Sequence, residues 1–239
     1  MINLSISSST LEAAVIRVTA EVARLRSRHM KLKFREEDLF FELMACILGS
    51  QVTFDMATAA AKQLRSSSVF SEIPRARNEE VLTKLLAAEL SRPIADPHSP
   101  CYGKRFRFWR TKARDIARTA VKIYELFDGA KAFLSAAANE NQARERLVEV
   151  SSGIGPKQAS LFLRNIGFAD NLAILDSHVL SYMTHLGMLV ALPRNLGTLQ
   201  VYENAERTLI AYSKVIGYPL KFIDEAIWVV MRVARGTRI

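Results

Sequence analysis

Residues 141–167 constrain this chain more than any other stretch, because they prescribe two helices folded back on a very short turn. QARERLVEVS has helical spacing, SGIGP is a tight turn, and KQASLFLRNIG is a second helix closed by Gly167. Gly153 and Gly155 let the backbone reverse sharply and let another molecule approach where a Cβ would stand in the way. Pro156 opens the second helix with its φ already set and no amide to leave unpaired. Free N–H groups at such a turn and helix start can cradle a phosphate. An ordinary αα-hairpin would show the same glycines, so Gly-X-Gly alone does not separate the two readings.

The rest of the chain is helical in pattern. Residues 1–8 read as a loose arm, after which Ser9 or Thr10 caps a helix with an apolar stripe through Val15, Ile16, Val18 and Val22. Its basic end, Arg24, Arg26, Arg28, Lys31, Lys33 and Arg35, reads as a solvated face, with phosphate contact as the alternative. EEDLFFELMACILGS (36–50) has acidic residues in its first turn and Gly49 near its end. QVTF then leads into a helix capped by Asp55, and a further helix spans 78–90. SRPIADPHSPCYG is a loop with three prolines. Short helices at about 129–137 and 140–150 lead into the glycine turn, the second being the first arm of the hairpin, and two more follow at about 198–214 and 219–234. No fixed-period repeat or low-complexity segment interrupts this order. The expected fold is all-α, of about ten helices.

Composition narrows the partners. The 239 residues are 49% hydrophobic and carry a formal charge of +9, which fits a globular domain with an anionic partner, most often nucleic acid. Two cysteines far apart, Cys46 and Cys101, cannot build a four-thiolate site, and the four histidines lack metal-ligand spacing. No metal and no cofactor is expected, and Cys46 reads as a buried reduced thiol. The N-terminus lacks a signal-peptide pattern and no apolar run approaches a membrane span. The expectation is a cytoplasmic protein without a membrane partner.

Residues 104–127 begin with six basic side chains in eleven positions: Lys104, Arg105, Arg107, Arg110, Lys112 and Arg114. Phe106, Phe108 and Trp109 interleave with them, a mixture that suits phosphates and bases. The competing reading docks Phe106 and Trp109 on the core while the cations face water.

Lys157 gives the hairpin a possible chemistry. It lies in the first turn of a helix, where the positive dipole end disfavours a protonated amine, and a neutral lysine can attack carbon and form a Schiff base. Nineteen positions later, Asp176 stands after the apolar run LAIL where an N-cap belongs. Its plain role is to accept from amides such as that of Val179. Its sharper role is to help deprotonate the lysine and to stabilise positive charge developing on a sugar.

GIGPKQASLFLRN and LAILDSHVL together resemble the signature of the helix-hairpin-helix–GPD superfamily of DNA glycosylases, and the ASLFLRNIG continuation is most similar to its type-2 8-oxoguanine DNA glycosylase/AP lyase group. LFFELMACILGSQVTFDMA resembles the superfamily's early helix and strand-probing loop. FRFWRTKARDIA resembles the arginine- and aromatic-rich helix of the type-2 group. The likeness spans about 36–234. It implies two helical lobes, 36–168 and 1–35 with 169–239, with an active-site cleft between them.

The same resemblance implies that Lys157 attacks C1′ and that Asp176 is its carboxylate partner. It implies that Gly153 and Gly155 grip the DNA backbone and that Gln51 fills the gap left by a flipped base. Arg105, Arg107 and Arg110 are then DNA contacts, and Trp228 is a ring that stacks on the flipped base. For Gln51 a loop polar group, and for Trp228 core packing, are the competing readings. The expected partner is duplex DNA containing a damaged base, bound by a monomer. Two features depart from the type-2 pattern. The chain ends in RGTRI rather than in a lysine near Trp228, and the loop before Asp176 is about one residue longer. A glycosylase for another modified base and a non-catalytic DNA-binding hairpin are the alternatives. Backbone binding requires neither Lys157 nor Asp176.

Overall fold

The computed structural model describes residues 7–26, 34–191 and 196–234. Among these residues the regular elements are helical: α1 (Ser8–Arg26), α2 (Glu36–Leu48), α3 (Phe54–Ser66), α4 (Ser68–Glu72), a 3-10 turn (Ile73–Arg75), α5 (Glu79–Leu90), α6 (Trp109–Phe127), α7 (Ala130–Ser135), α8 (Glu140–Val150), α9 (Pro156–Asn165), α10 (Ser177–His185), α11 (Leu199–Ile216) and α12 (Leu220–Ala234). The extended pairing among them is a single bridge between Pro93 and Arg105. The all-α expectation holds. α4 and the 3-10 turn add elements where five and three residues are too few to show a periodicity.

Several boundaries differ from the sequence reading. α1 starts one residue earlier than its proposed cap, because Ser7 Oγ accepts from the Thr10 amide at 3.2 Å. The cap of α3 is Thr53, whose hydroxyl accepts from the Met56 amide at 3.4 Å, so Asp55 is a first-turn acidic residue instead. α6 begins at Trp109 rather than near Lys104, since Arg105 is held extended by its bridge to Pro93. In the basic run after α1, Arg24 pairs with Glu21 and Arg26 with Glu225. Arg28, Lys31 and Lys33 lie outside the described residues, as do the first residues of the arm and the tail Arg235–Ile239.

The chain divides into two units, residues 33–166 and residues 1–32 with 167–239. In the first, α2 brings Phe40, Leu43, Met44 and Ile47 to a core shared with α3, α5, α6 and α9. Phe106 is also 1% exposed, so this ring docks the start of α6 as expected of an apolar anchor. Trp109 stays half-buried, with the Arg110 guanidinium 4.3 Å from its ring centre.

In the second unit, α1, α10, α11 and α12 enclose Val15, Tyr182, Tyr202, Leu209, Ile223 and Ile227. Tyr182 and Tyr212 share a 2.7 Å hydrogen bond across this core. No helix among the described residues is long and apolar enough to cross a membrane.

Candidate active site

The hairpin is α8, a five-residue turn and α9. Its helices are tied by Arg144, a fully buried cation on α8 whose Nη1 lies 3.4 Å from Ser160 Oγ on α9. The turn itself is seated on α6. Ser152 N donates to Thr119 Oγ1 at 2.9 Å, and Thr119 is fully buried. Next in line, Gly153 has φ +72, and a Cβ there would stand 2.5 Å from Asp115 Oδ2. Both facts demand glycine.

Gly155 differs. It has an ordinary φ of −100, caps α9, and a Cβ there would meet nothing within 4 Å. Its lack of a side chain does nothing for the chain itself and keeps the outer side of the turn open. Among the described residues, the amides of Gly153, Ile154 and Gly155 donate to no acceptor. They are the orphan donors that a phosphate would satisfy.

Lys157 is the second residue of α9 and is half-buried, and no hydrogen bond or ion pair holds its amine among the described residues. α9 packs on α2 through Glu42, whose Oε1 accepts from Asn165 Nδ2 at 2.7 Å. Beside it Cys46 is buried, and burial first, then the Glu42 carboxylate, push its thiol well above its ordinary range. The Lys157 charge opposes them. Cys46 is therefore an inert neutral thiol, as expected for a cysteine in an apolar run.

Asp176 caps α10, its Oδ1 accepting from the amides of His178 at 2.8 Å and Val179 at 2.9 Å. The stretch leading to it, Leu172–Leu175, belongs to no helix, and Asp176 N donates back to Ile174 O at 2.9 Å. Side chains satisfy its backbone instead: Glu206 Oε1 accepts from Ala173 N at 2.7 Å, and Asp224 Oδ2 accepts from Ile174 N at 2.8 Å. The Tyr202 hydroxyl accepts from Leu175 N at 3.0 Å and donates to Ala173 O at 2.8 Å. Glu206, Asp224 and Tyr202 are buried, and together they fix the residue that precedes Asp176. Sequence reading missed all three. Their only signal was polar residues on the apolar faces of α11 and α12.

Trp228 on α12 is half-buried, so it is not a simple core residue. The His178 ring meets it edge-on, with centres 6.5 Å apart, and the Arg232 guanidinium lies 4.8 Å from its ring centre. The ring is thus held between an imidazole edge and a guanidinium.

Gln51 lies on the loop between α2 and α3, exposed, with φ +67. A left-handed backbone is uncommon for glutamine, and here it belongs to the loop tip rather than to the helix cap, since Gly49 has φ −70. Phe54, three residues on, is 80% exposed, which sequence reading also missed.

Arg105, Arg107 and Arg110 are exposed and have no carboxylate partner among the described residues. Lys112, grouped with them by sequence, is only 7% exposed and faces Asp115 Oδ2 at 3.8 Å. Burial pushes its ammonium below the ordinary lysine range, with the Asp115 charge opposing the shift. Lys112 is thus neither a solvated cation nor a phosphate contact. At about 100° per residue, Arg110 and Arg114 point to the side of α6 roughly opposite Lys112. One helix therefore offers an arginine row to solvent and a seat to the hairpin.

Among the described residues no group of histidine, cysteine or carboxylate side chains could hold a metal ion. The hairpin supplies an amine and a turn with unpaired amides, and the start of α10 supplies a carboxylate.

Comparison with known proteins points to one family. The sequence model described as 8-oxoguanine DNA glycosylase matches residues 100–218. The 8-oxoguanine DNA glycosylase/AP lyase of Saccharolobus solfataricus is 29% identical over 195 residues, 81% of this chain and 82% of that protein. The crystal structure of the 8-oxoguanine DNA glycosylase of Thermotoga maritima superposes with a TM-score of 0.60 at 25% identity, covering 96% of each chain. That of the Methanocaldococcus jannaschii 8-oxoguanine glycosylase/lyase with a 15mer DNA containing 8-oxoguanine gives 0.61 at 24% identity, covering 94% of this chain and 91% of that one. With its helix-hairpin-helix in place, this chain belongs to the 8-oxoguanine DNA glycosylase/AP lyase family.

Proposed function

We propose that the protein is a bifunctional DNA glycosylase/AP lyase that releases oxidised guanine from duplex DNA, working as a monomer in the cytoplasm and on the nucleoid. The observation that carries this is the hairpin, in which, among the described residues, an amine with no partner sits two residues beyond a turn whose amides have no acceptor. Gly153 and Gly155 present those amides to a DNA phosphate, and Arg105, Arg107 and Arg110 add cations to the same partner. The damaged nucleotide leaves the stack at a cost of about a few kcal/mol. Gln51 enters the space it vacates, and the Trp228 ring supports the flipped base.

Lys157 Nζ, as the neutral amine, attacks C1′. The bond from C1′ to the base breaks, the base leaves with the electron pair and a proton, and C1′–O4′ opens as the imine forms. Asp176 accepts a proton from the amine, which can pass on to the departing base or to O4′, and its carboxylate stabilises the positive sugar. Loss of a C2′ proton then breaks C3′–O3′, the 3′ phosphate leaves, and water hydrolyses the imine to free Lys157.

Duplexes carrying 8-oxoguanine, an abasic site or undamaged guanine test this directly. Released 8-oxoguanine, a nicked strand and a borohydride-trapped adduct on the first two substrates are expected, with no product from undamaged guanine. An adduct on abasic DNA without release of 8-oxoguanine would assign the protein to another damaged base. No adduct on any substrate would overturn the lyase reading.

A further inference from the structure

Two side chains of α6 meet the hairpin turn, and a third on the same face backs one of them. Thr119 holds Ser152, Asp115 lies directly against Gly153, and Lys112 stands behind Asp115 with its Nζ 3.8 Å from Oδ2. Both charged groups are largely shielded, with 9% of the Lys112 and 14% of the Asp115 side chain exposed. A carboxylate in this position is unexpected. It sits beneath a turn whose free amides, on the proposed reading, receive an anion, and its field would oppose that anion in a medium of reduced dielectric. Nothing in the packing requires a lysine in the next turn unless its charge matters, since an apolar chain of that volume would be cheaper to bury.

We propose that Lys112 and Asp115 are a positioning pair for DNA: Asp115 seats the Gly153 turn, and Lys112 cancels its charge so that the turn's outward amides retain their affinity for a backbone phosphate. The pair rests on the reading of the hairpin as a DNA-binding element. It adds a requirement that the turn's geometry alone does not impose, namely electrical neutrality underneath it. Lys112 acts through the turn and touches no phosphate itself.

The test is a double-mutant cycle read as affinity for an undamaged duplex across a salt series. Lys112→Met, which leaves the carboxylate uncompensated, should weaken binding about tenfold, the scale of coupling between contacting charges. Asp115→Asn, which leaves the cation, should bind as tightly as the wild type or tighter. The double variant, neutral and nearly isosteric, should recover to within about twofold of the wild type. Additive losses, with the double variant weaker than either single one, would reduce the pair to packing and overturn the proposal. If Lys112→Met does not fold, the double variant must still bind to within about twofold of the wild type, and a tenfold loss in it would overturn the proposal. Binding needs no lyase step. A wild-type protein that grips duplex DNA without forming an adduct therefore refutes the proposed activity alone, whereas one that does not bind refutes the DNA reading itself.

Discussion

Lys157 and Asp176 both stand at the start of a helix, and the two helix starts treat them in opposite ways. Asp176 is where a helix wants an anion. Its carboxylate takes two amide hydrogen bonds, and a set of buried side chains holds the backbone before it. Lys157 is where a helix does not want a cation, and no partner compensates its charge among the described residues. One residue is locked by the fold and serves it, while the other is carried at a small cost. That is the division expected of a stabilising carboxylate and a nucleophile.

The contrast can be broken by mutation. Lys157→Ala should lower strand cleavage by at least about a thousandfold, the scale of removing a nucleophile, while leaving stability unchanged or raising it by a few tenths of a kcal/mol. Asp176→Asn should keep the cap, since asparagine caps as well as aspartate, yet slow base release by about a hundredfold or more. Asp176→Ala should show the same kinetic loss and in addition lose about 1 kcal/mol of stability. Equal stability of the two Asp176 variants would remove the cap from the account.

The two hairpin glycines sharpen the same distinction between fold and function. Gly153→Ala must strain a left-handed backbone and displace Asp115, so it should destabilise by about 1–2 kcal/mol or more. Gly155→Ala should melt with the wild type and show only weaker DNA binding, by several-fold, because its Cβ enters open space where a phosphate would lie. The smallest effect belongs to Gln51→Gly, which relieves the left-handed backbone and should stabilise by up to about 1 kcal/mol while slowing base release. Thermal melts beside single-turnover assays read both halves of each comparison.

Local features were legible in the sequence and distant ones were not. The hairpin could be read because a Gly-X-Gly-Pro turn states its own backbone, and the Asp176 cap because it lies next to the amides it binds. Lys112 could not. It is buried beside Asp115, which lies against Gly153, a residue forty-one positions beyond Lys112. Tyr202, Glu206 and Asp224 escaped for the same reason, since each serves backbone 27 to 50 residues away. Where several capping residues crowd together, as at Ser7–Thr10 and Thr53–Asp55, composition names the neighbourhood and packing chooses the residue.

The central claim is that Lys157 is the amine that reacts. Trapping the wild-type protein with borohydride on a duplex containing 8-oxoguanine, then mapping the modified peptide by mass spectrometry, tests it most directly. One sugar adduct is expected, on Lys157 Nζ, and none in Lys157→Ala. An adduct on any other amine, or an undiminished yield in Lys157→Ala, would contradict it.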